Sequence, residues 1–206
     1  INTKVIDFNN KKISTAIEAE ISRDGQLYYV CPRINELKEV EDFLKHYLPN
    51  IKYQVAHGQM SPKKLKNTMI DFYNNEFQLL LCTTIVESGL DLQKTNTMII
   101  HNADKFGLSQ LYQLRGRIGR SNIEAFCYYT VKDLNGISEN AYKRLMLLKK
   151  FNARGSSFNL SSHDLDMRGS GNIIGDAQSG HIKEVGLELY HKLLKDKITE
   201  LKSDTT

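Results

Sequence analysis

Cysteine is scarce: Cys31, Cys82 and Cys127 are the only three in 206 residues, and no two form a C-x-x-C pair. Each lies in an apolar run with strand character, so the spacing predicts buried thiols in a reducing, cytoplasmic compartment rather than a disulfide framework. No apolar stretch approaches the roughly 18 residues of a membrane span. The opening Ile-Asn-Thr-Lys has neither the apolar core of a signal peptide nor an initiator Met, which points to a piece of a longer protein. No G-x-x-x-x-G-K-[ST] occurs, so there is no loop of that kind to cradle the β- and γ-phosphates of a nucleotide. No run of adjacent carboxylates suggests a magnesium site, and no metal site is expected. The chain alone is therefore not expected to hydrolyse a nucleotide. Internal repeats and low-complexity tracts are also missing.

What is present suits one medium domain with an appendage: 40% hydrophobic and 25% charged residues, with a net charge of +4. That charge is compatible with nucleic acid without arguing for it. After a lead-in, Gln26–Cys31 reads as a β-rich run closed by Pro32, and Glu36–Tyr47 as a helix. Lys52–Ala56 reads as a second strand, followed by the polar turn HGQM. Ser61 as N-cap with Pro62 at the first helical position predicts a helix through Asn74. Strands follow at Phe77–Cys82, Thr97–His101 and Ala125–Val131, with a helix between the last two. Short apolar strands alternating with helices predict an α/β fold, a parallel sheet covered on both faces.

From about Lys132 the pattern changes. Asn140–Phe151 reads as an amphipathic helix with Leu145, Leu148 and Phe151 on one stripe. Residues 152–182 are glycine-rich with little periodicity, and a last helix covers roughly 183–201. The expected boundary lies near residue 135, between an α/β lobe (1–135) and a smaller helical appendage (136–206).

In an open parallel sheet, ligands bind outside the carboxyl ends of the strands. Three places there stand out: His57-Gly58-Gln59, Thr83-Thr84 and Asn102-Ala103-Asp104. Thr83 and Thr84 present hydroxyls and backbone N–H groups suited to phosphate oxygens, or they cap a short helical stretch at 85–88. In ESGLD, Gly89 suggests a tight turn beside Glu87, and Asp91 accepts from a ribose hydroxyl or from the turn's own amides.

The sequence LYQLRGRIGRS (111–121) places three arginines and two glycines within six positions. If it is helical at 3.6 residues per turn, Gln113, Arg117 and Arg120 share one face and Arg115 points elsewhere. Gly116 and Gly119 each weaken such a helix by about 1 kcal/mol, so they signal close approach to another surface. Two guanidiniums one turn apart can both reach a transferring phosphoryl group, with rate effects of roughly 10³ to 10⁵. A solvated basic helix paired with acids is the other reading.

These residues resemble motifs of superfamily two helicases: LYYVCPRI (27–34) motif IV, TTIVESGLDL (83–92) motif V, and QLYQLRGRIGR (110–120) motif VI, in order on the expected strands. The resemblance implies a second RecA-like lobe. Arg117 and Arg120 would be arginine fingers against ATP bound by the first lobe, with Gln113 in the same motif. It also implies nucleotide-facing positions at Glu87, Gly89 and Asp91. Thr83 and Thr84, and with them His57, Gly58 and Gln59, would lie near DNA phosphates.

HNADKFGLSQLYQLRGRIGRS joined to DLDMRGSGNIIGDAQSGHI is similar to the group of double-stranded DNA translocases that comprises RecG and the transcription-repair coupling factors. SGHIKEVGLELYHKLL (179–194) is nearer the latter. That group's appendage is a helical hairpin and loop, the translocation motif, and its coupling residues fall on Arg144, Arg168 and Gln178. The implied cofactors are ATP and Mg²⁺, held mainly by a first lobe outside this chain. The implied partners are double-stranded DNA, that first RecA-like lobe, and RNA polymerase and UvrA through other domains.

Overall fold

The computed structural model describes residues 1–83 and 92–151. Six strands, β1 (Asn2–Asp7), β2 (Gln26–Val30), β3 (Tyr53–Ala56), β4 (Leu79–Cys82), β5 (Thr95–Ile100) and β6 (Phe126–Val131), form one sheet in the order β1-β6-β5-β2-β4-β3. All five pairings are parallel. The helices are α1 (Asn10–Ser22), α2 (Leu37–Tyr47), α3 (Pro62–Tyr73), α4 (Leu108–Arg115) and α5 (Glu139–Lys150), with short 3₁₀ turns at Ile34–Glu36 and Ala103–Lys105. All described residues belong to one compact unit.

The sheet carries a separate core on each face because strand side chains alternate. Leu27, Tyr29 and Cys31 meet Ile13 and Ile17 of α1 and Val40, Phe43 and Leu44 of α2. Tyr28 and Val30 point the other way, toward Phe72 of α3, Leu111 and Leu114 of α4, and Leu145 and Leu148 of α5. Every residue of β2, β4 and β5 is buried, as a parallel sheet covered on both sides requires. The three cysteines are buried free thiols, and burial pushes Cys82 and Cys127 each up to about 12.

Several local signals act as read. Ser61 accepts from the Lys64 amide at 3.3 Å with Pro62 at the start of α3. Ser138 caps α5 through the Ala141 amide at 3.1 Å, and Leu145 and Leu148 are fully buried on its inner stripe. Phe151, just past the helix, packs partly buried against the same core.

Two expectations are corrected. Residues 1–25 are not a featureless lead-in: they form β1 and α1. Among the described residues β1 is an edge strand that pairs with β6 alone, more than a hundred residues away, and few of its residues are buried. In α1 the inward stripe is short, Ile13, Ala16, Ile17 and Glu20.

The arginine stretch is not one helix either. α4 stops at Arg115 with Gly116 as its cap, Arg117 and Ile118 turn back on Leu114 and Arg115, and Gly119 adopts φ +74. Gln113, Arg117 and Arg120 therefore do not share a helical face. A Cβ on Gly119 would sit 2.9 Å from Ile1 Cγ1, so the close approach this glycine permits is to its own chain.

Candidate site at the sheet edge and the arginine loop

Because all strands run parallel, the ends of β5, β2, β4 and β3 fall side by side on one edge. The ladder continues past them: His101 N–H donates to Val30 O at 2.8 Å, Cys31 N–H to Cys82 O at 2.8 Å, and Thr83 N–H to Ala56 O at 3.3 Å. His101, Cys31, Thr83 and His57 thus line up across the edge in that order. The site residues expected after the strands are brought together as a row, in the position where open parallel sheets take ligands.

Details of that row differ from expectation. Thr83 is buried and spends its N–H on the sheet, which leaves its hydroxyl, not its amide, to meet a ligand. His57 opens a tight turn: its N–H points to Met60 Sδ at 3.4 Å, its Nδ1 accepts from Gln59 N–H at 3.2 Å, and its carbonyl accepts from Met60 N–H at 3.2 Å. Gly58 and Gln59 stand exposed at the tip, and a Cβ on Gly58 would meet nothing within 4 Å.

Beside Thr83's neighbour strand, at the junction of β2 and β5, Asn102, singled out in the sequence, belongs to a polar cluster whose other members, Glu36, Lys105, His101 and Glu39, were not. Asn102 takes the left-handed conformation, φ +46, and donates from Nδ2 to Glu36 Oε1 at 3.0 Å, where Lys105 Nζ also lands. Burial works to raise the Glu36 carboxyl, but the bonds from Lys105 and Asn102 win and hold it below the ordinary glutamate range. Burial lowers His101 against the pull of Glu39, whose Oε2 lies 3.4 Å from its Nε2. The sequence-legible sign is an Asn directly after a strand, since among non-glycine residues Asn readily tolerates positive φ.

The face of the sheet covered by α3 and α4 carries Tyr28 and Val30 of β2 in one core with Ile118 of the arginine loop. Tyr28 packs edge-on against Phe72 with ring centroids 5.6 Å apart. Its phenol is held neutral by burial and by the nearby Cys82, while Arg117 and Arg120 both act on it in the opposite sense. Arg117 is half-buried and Arg120 exposed, both on the loop that follows α4. Gln113 is exposed on α4. Such a pair can stabilise charge on a phosphoryl group.

Arg144, on α5, is half-buried and donates from Nη2 to Asp104 O at 3.1 Å, tying α5 to the turn after β5. Thr84, Glu87, Gly89, Asp91, Arg168 and Gln178 lie outside the described residues. Among the described residues no group of three His, Cys, Asp or Glu side chains could hold a metal ion, and no helix is long and apolar enough to cross a membrane.

The chain is similar to known proteins over its whole length. The transcription-repair-coupling factor of Rickettsia typhi is 45% identical over 205 residues, all of this chain and 18% of its own length. That of Bacillus subtilis is 42% identical over 205 residues, 17% of its length. The chain therefore spans under a fifth of these relatives. Among solved structures, RecG bound to a three-way DNA junction superposes with a TM-score of 0.70 at 29% identity, over 90% of this chain and 25% of that one. Domain 2 of the Mss116p DEAD-box helicase shares the fold, with a TM-score of 0.57 at 16% identity over 95% of this chain and 79% of its own. The six-strand parallel sheet with helices on both faces is that of a RecA-like lobe. The model of the helicase conserved C-terminal domain matches residues 10–122, over half the chain, so this protein belongs to the helicase conserved C-terminal domain family.

Proposed function

We propose that the chain is the second motor lobe of an ATP-dependent double-stranded DNA translocase of the transcription-repair coupling type, acting in the cytoplasm. The observation that carries the reading is the pair Arg117 and Arg120, on the loop that follows α4, in a chain whose sequence has no phosphate-binding loop of its own. Charge aimed at a phosphoryl group, with nothing to bind the rest of the triphosphate, is half of a site. The other half is a first RecA-like lobe that binds ATP and Mg²⁺. The resemblance over the whole chain to coupling factors supports the same assignment.

In this reading Arg117 and Arg120 stabilise charge developing on the γ-phosphate, and Gln113, Glu87, Gly89 and Asp91 line the nucleotide side. The strand-end row, Thr83, Thr84, His57, Gly58 and Gln59, meets DNA phosphates. Residues 1–135 are the lobe and 136–206 the translocation motif, in which Arg144, Arg168 and Gln178 couple lobe movement to the duplex. The isolated chain does not turn over ATP. The whole protein pushes RNA polymerase stalled at damage and recruits UvrA through other domains.

The test is displacement of a stalled RNA polymerase by the full-length protein with ATP. Wild type should clear the polymerase. Arg120→Ala should lose DNA-stimulated ATP hydrolysis by about 10³-fold or more while still binding ATP; retained turnover would remove the finger role. Arg168→Ala should hydrolyse ATP yet leave the polymerase in place. A second reading, a branched-DNA helicase lobe, is favoured by the superposition on RecG. Unwinding of forked DNA without polymerase displacement would establish it instead.

A further inference from the structure

Of the three arginines in RGRIGR, Arg115 is the one set apart. It is 4% exposed, whereas Arg117 is half-buried and Arg120 exposed. Its guanidinium reaches two other elements. Nη1 donates to Thr3 Oγ1 on β1 at 3.0 Å and to Leu148 O at 2.6 Å, and Nη2 donates to Phe151 O at 2.5 Å. The group also lies over the Tyr112 ring, 5.6 Å from its centroid.

Among the described residues no carboxylate lies within ion-pair distance of Arg115. Its buried charge is met by the carbonyl end of α5. The last turn of a helix leaves carbonyls without intrahelical donors and carries the negative end of the helix dipole. Leu148 O is one of these, and Phe151 O is the carbonyl just beyond them. Arg115 thus caps a helix other than its own, and the two acceptors lie three residues apart. A planar fork can serve both at once; a lysine, with one ammonium, cannot hold the same geometry.

We infer that Arg115 is a positioning residue that locks the arginine loop to the C-terminal end of α5, so that movement of one is imposed on the other. Arg117 begins two residues after Arg115. The chain leaves α5 at Phe151, the residue the same guanidinium holds. Arg144 fixes α5 a second time, to the turn after β5. Loop and helix exit therefore move as one body, and a shift of Arg117 and Arg120 against a phosphoryl group is delivered to the chain at residue 151.

This inference rests on the proposed motor reading, since the lever matters only if the loop faces ATP and the segment after residue 151 faces DNA. A merely structural Arg115 would lower stability and depress hydrolysis and movement together. A linking Arg115 changes their ratio.

The experiment compares full-length wild type, Arg115→Lys and Thr3→Val for DNA-stimulated ATP hydrolysis and for displacement of a triplex-forming oligonucleotide. Arg115→Lys should keep hydrolysis within about threefold and lose about tenfold or more of displacement per ATP hydrolysed. Thr3→Val removes the hydroxyl that Arg115 meets on β1 and should leave that ratio at the wild-type value. Parallel loss of both activities in Arg115→Lys, an unchanged ratio, or uncoupling by Thr3→Val would overturn the inference.

Amide hydrogen exchange on the wild type supplies a test that needs no variant. Adding duplex DNA and a non-hydrolysable ATP analogue should change protection at 116–120 and 147–151 together, and a change at 116–120 alone would also overturn the linkage. Wild type that neither hydrolyses ATP nor displaces the oligonucleotide would instead overturn the motor reading itself.

Discussion

The two glycines of the arginine stretch should respond to alanine with opposite sign. Gly119 sits at φ +74, where an L-residue with a Cβ costs about 1–2 kcal/mol. A Cβ there would also lie 2.9 Å from Ile1 Cγ1 and 3.4 Å from Ala125 Cβ. Ile1 is an exposed side chain that can swing aside, so the backbone conformation dominates the cost. Gly116, in contrast, has φ −65 and ψ −8, and its Cβ would meet only carbonyls of its own helix at 3.4 and 3.6 Å.

Replacing Gly116 with alanine in a conformation alanine adopts freely should range from neutral to a gain of about 1 kcal/mol. At about 2–4 °C per kcal/mol, Gly119→Ala should lower the melting temperature by roughly 2–8 °C, while Gly116→Ala should leave or raise it. Thermal melting followed by circular dichroism measures both. Gly119→Ala should also displace Arg120, the next residue, and weaken hydrolysis in the full-length protein beyond what its stability loss explains. Equal destabilisation by the two substitutions would refute the conformational argument, because helix propensity alone treats the two glycines alike.

Other consequences are equally direct. Glu20, buried in α1, accepts from Arg23 Nε at 3.1 Å and Nη2 at 2.5 Å and from the Thr97 hydroxyl; Glu20→Ala should cost about 2–3 kcal/mol in urea unfolding. A Cβ on Gly25 would fall 1.7 Å from Glu20 Oε1, so Gly25→Ala should expel that carboxylate and destabilise through the same contacts. Glu36, held below its ordinary range, contributes stability that is present above the unfolded-state pKa and is lost as pH falls through the folded one. Glu36→Gln should therefore flatten the acid limb of the stability–pH profile below the ordinary glutamate range, and an unchanged acid limb would show that Lys105 and Asn102 do not hold the ionised carboxylate.

Much of this lobe was legible locally. Ser61-Pro62, the buried apolar runs of β2, β4 and β5, and the Leu145 and Leu148 stripe of α5 are signals contained within a single turn or strand. A cap or an amphipathic pattern needs no distant partner to be read. β1 escaped because an edge strand buries little, and its partner β6 enters the chain more than a hundred residues later. The motif order assigns residues to one site by resemblance alone, and of these Thr84, Glu87, Gly89, Asp91, Arg168 and Gln178 lie outside the described residues.

The chemical inventory was determined by sequence alone: paired arginines with glycines between them, hydroxyls after a strand, and no phosphate-binding loop. Residue type decides which charges and donors exist, and absence of a motif is complete in one dimension. Only the tertiary structure decided how they meet. Helical spacing placed Arg117 and Arg120 on one face, whereas the structure ends α4 at Arg115 and carries both on a turn through a left-handed Gly119. Spacing left Arg115 without a role, and the structure buries it between β1 and the end of α5. Both outcomes depend on contacts between segments far apart in the chain, Gly119 with Ile1 and Arg115 with Leu148 and Phe151, and no local pattern carries information about those.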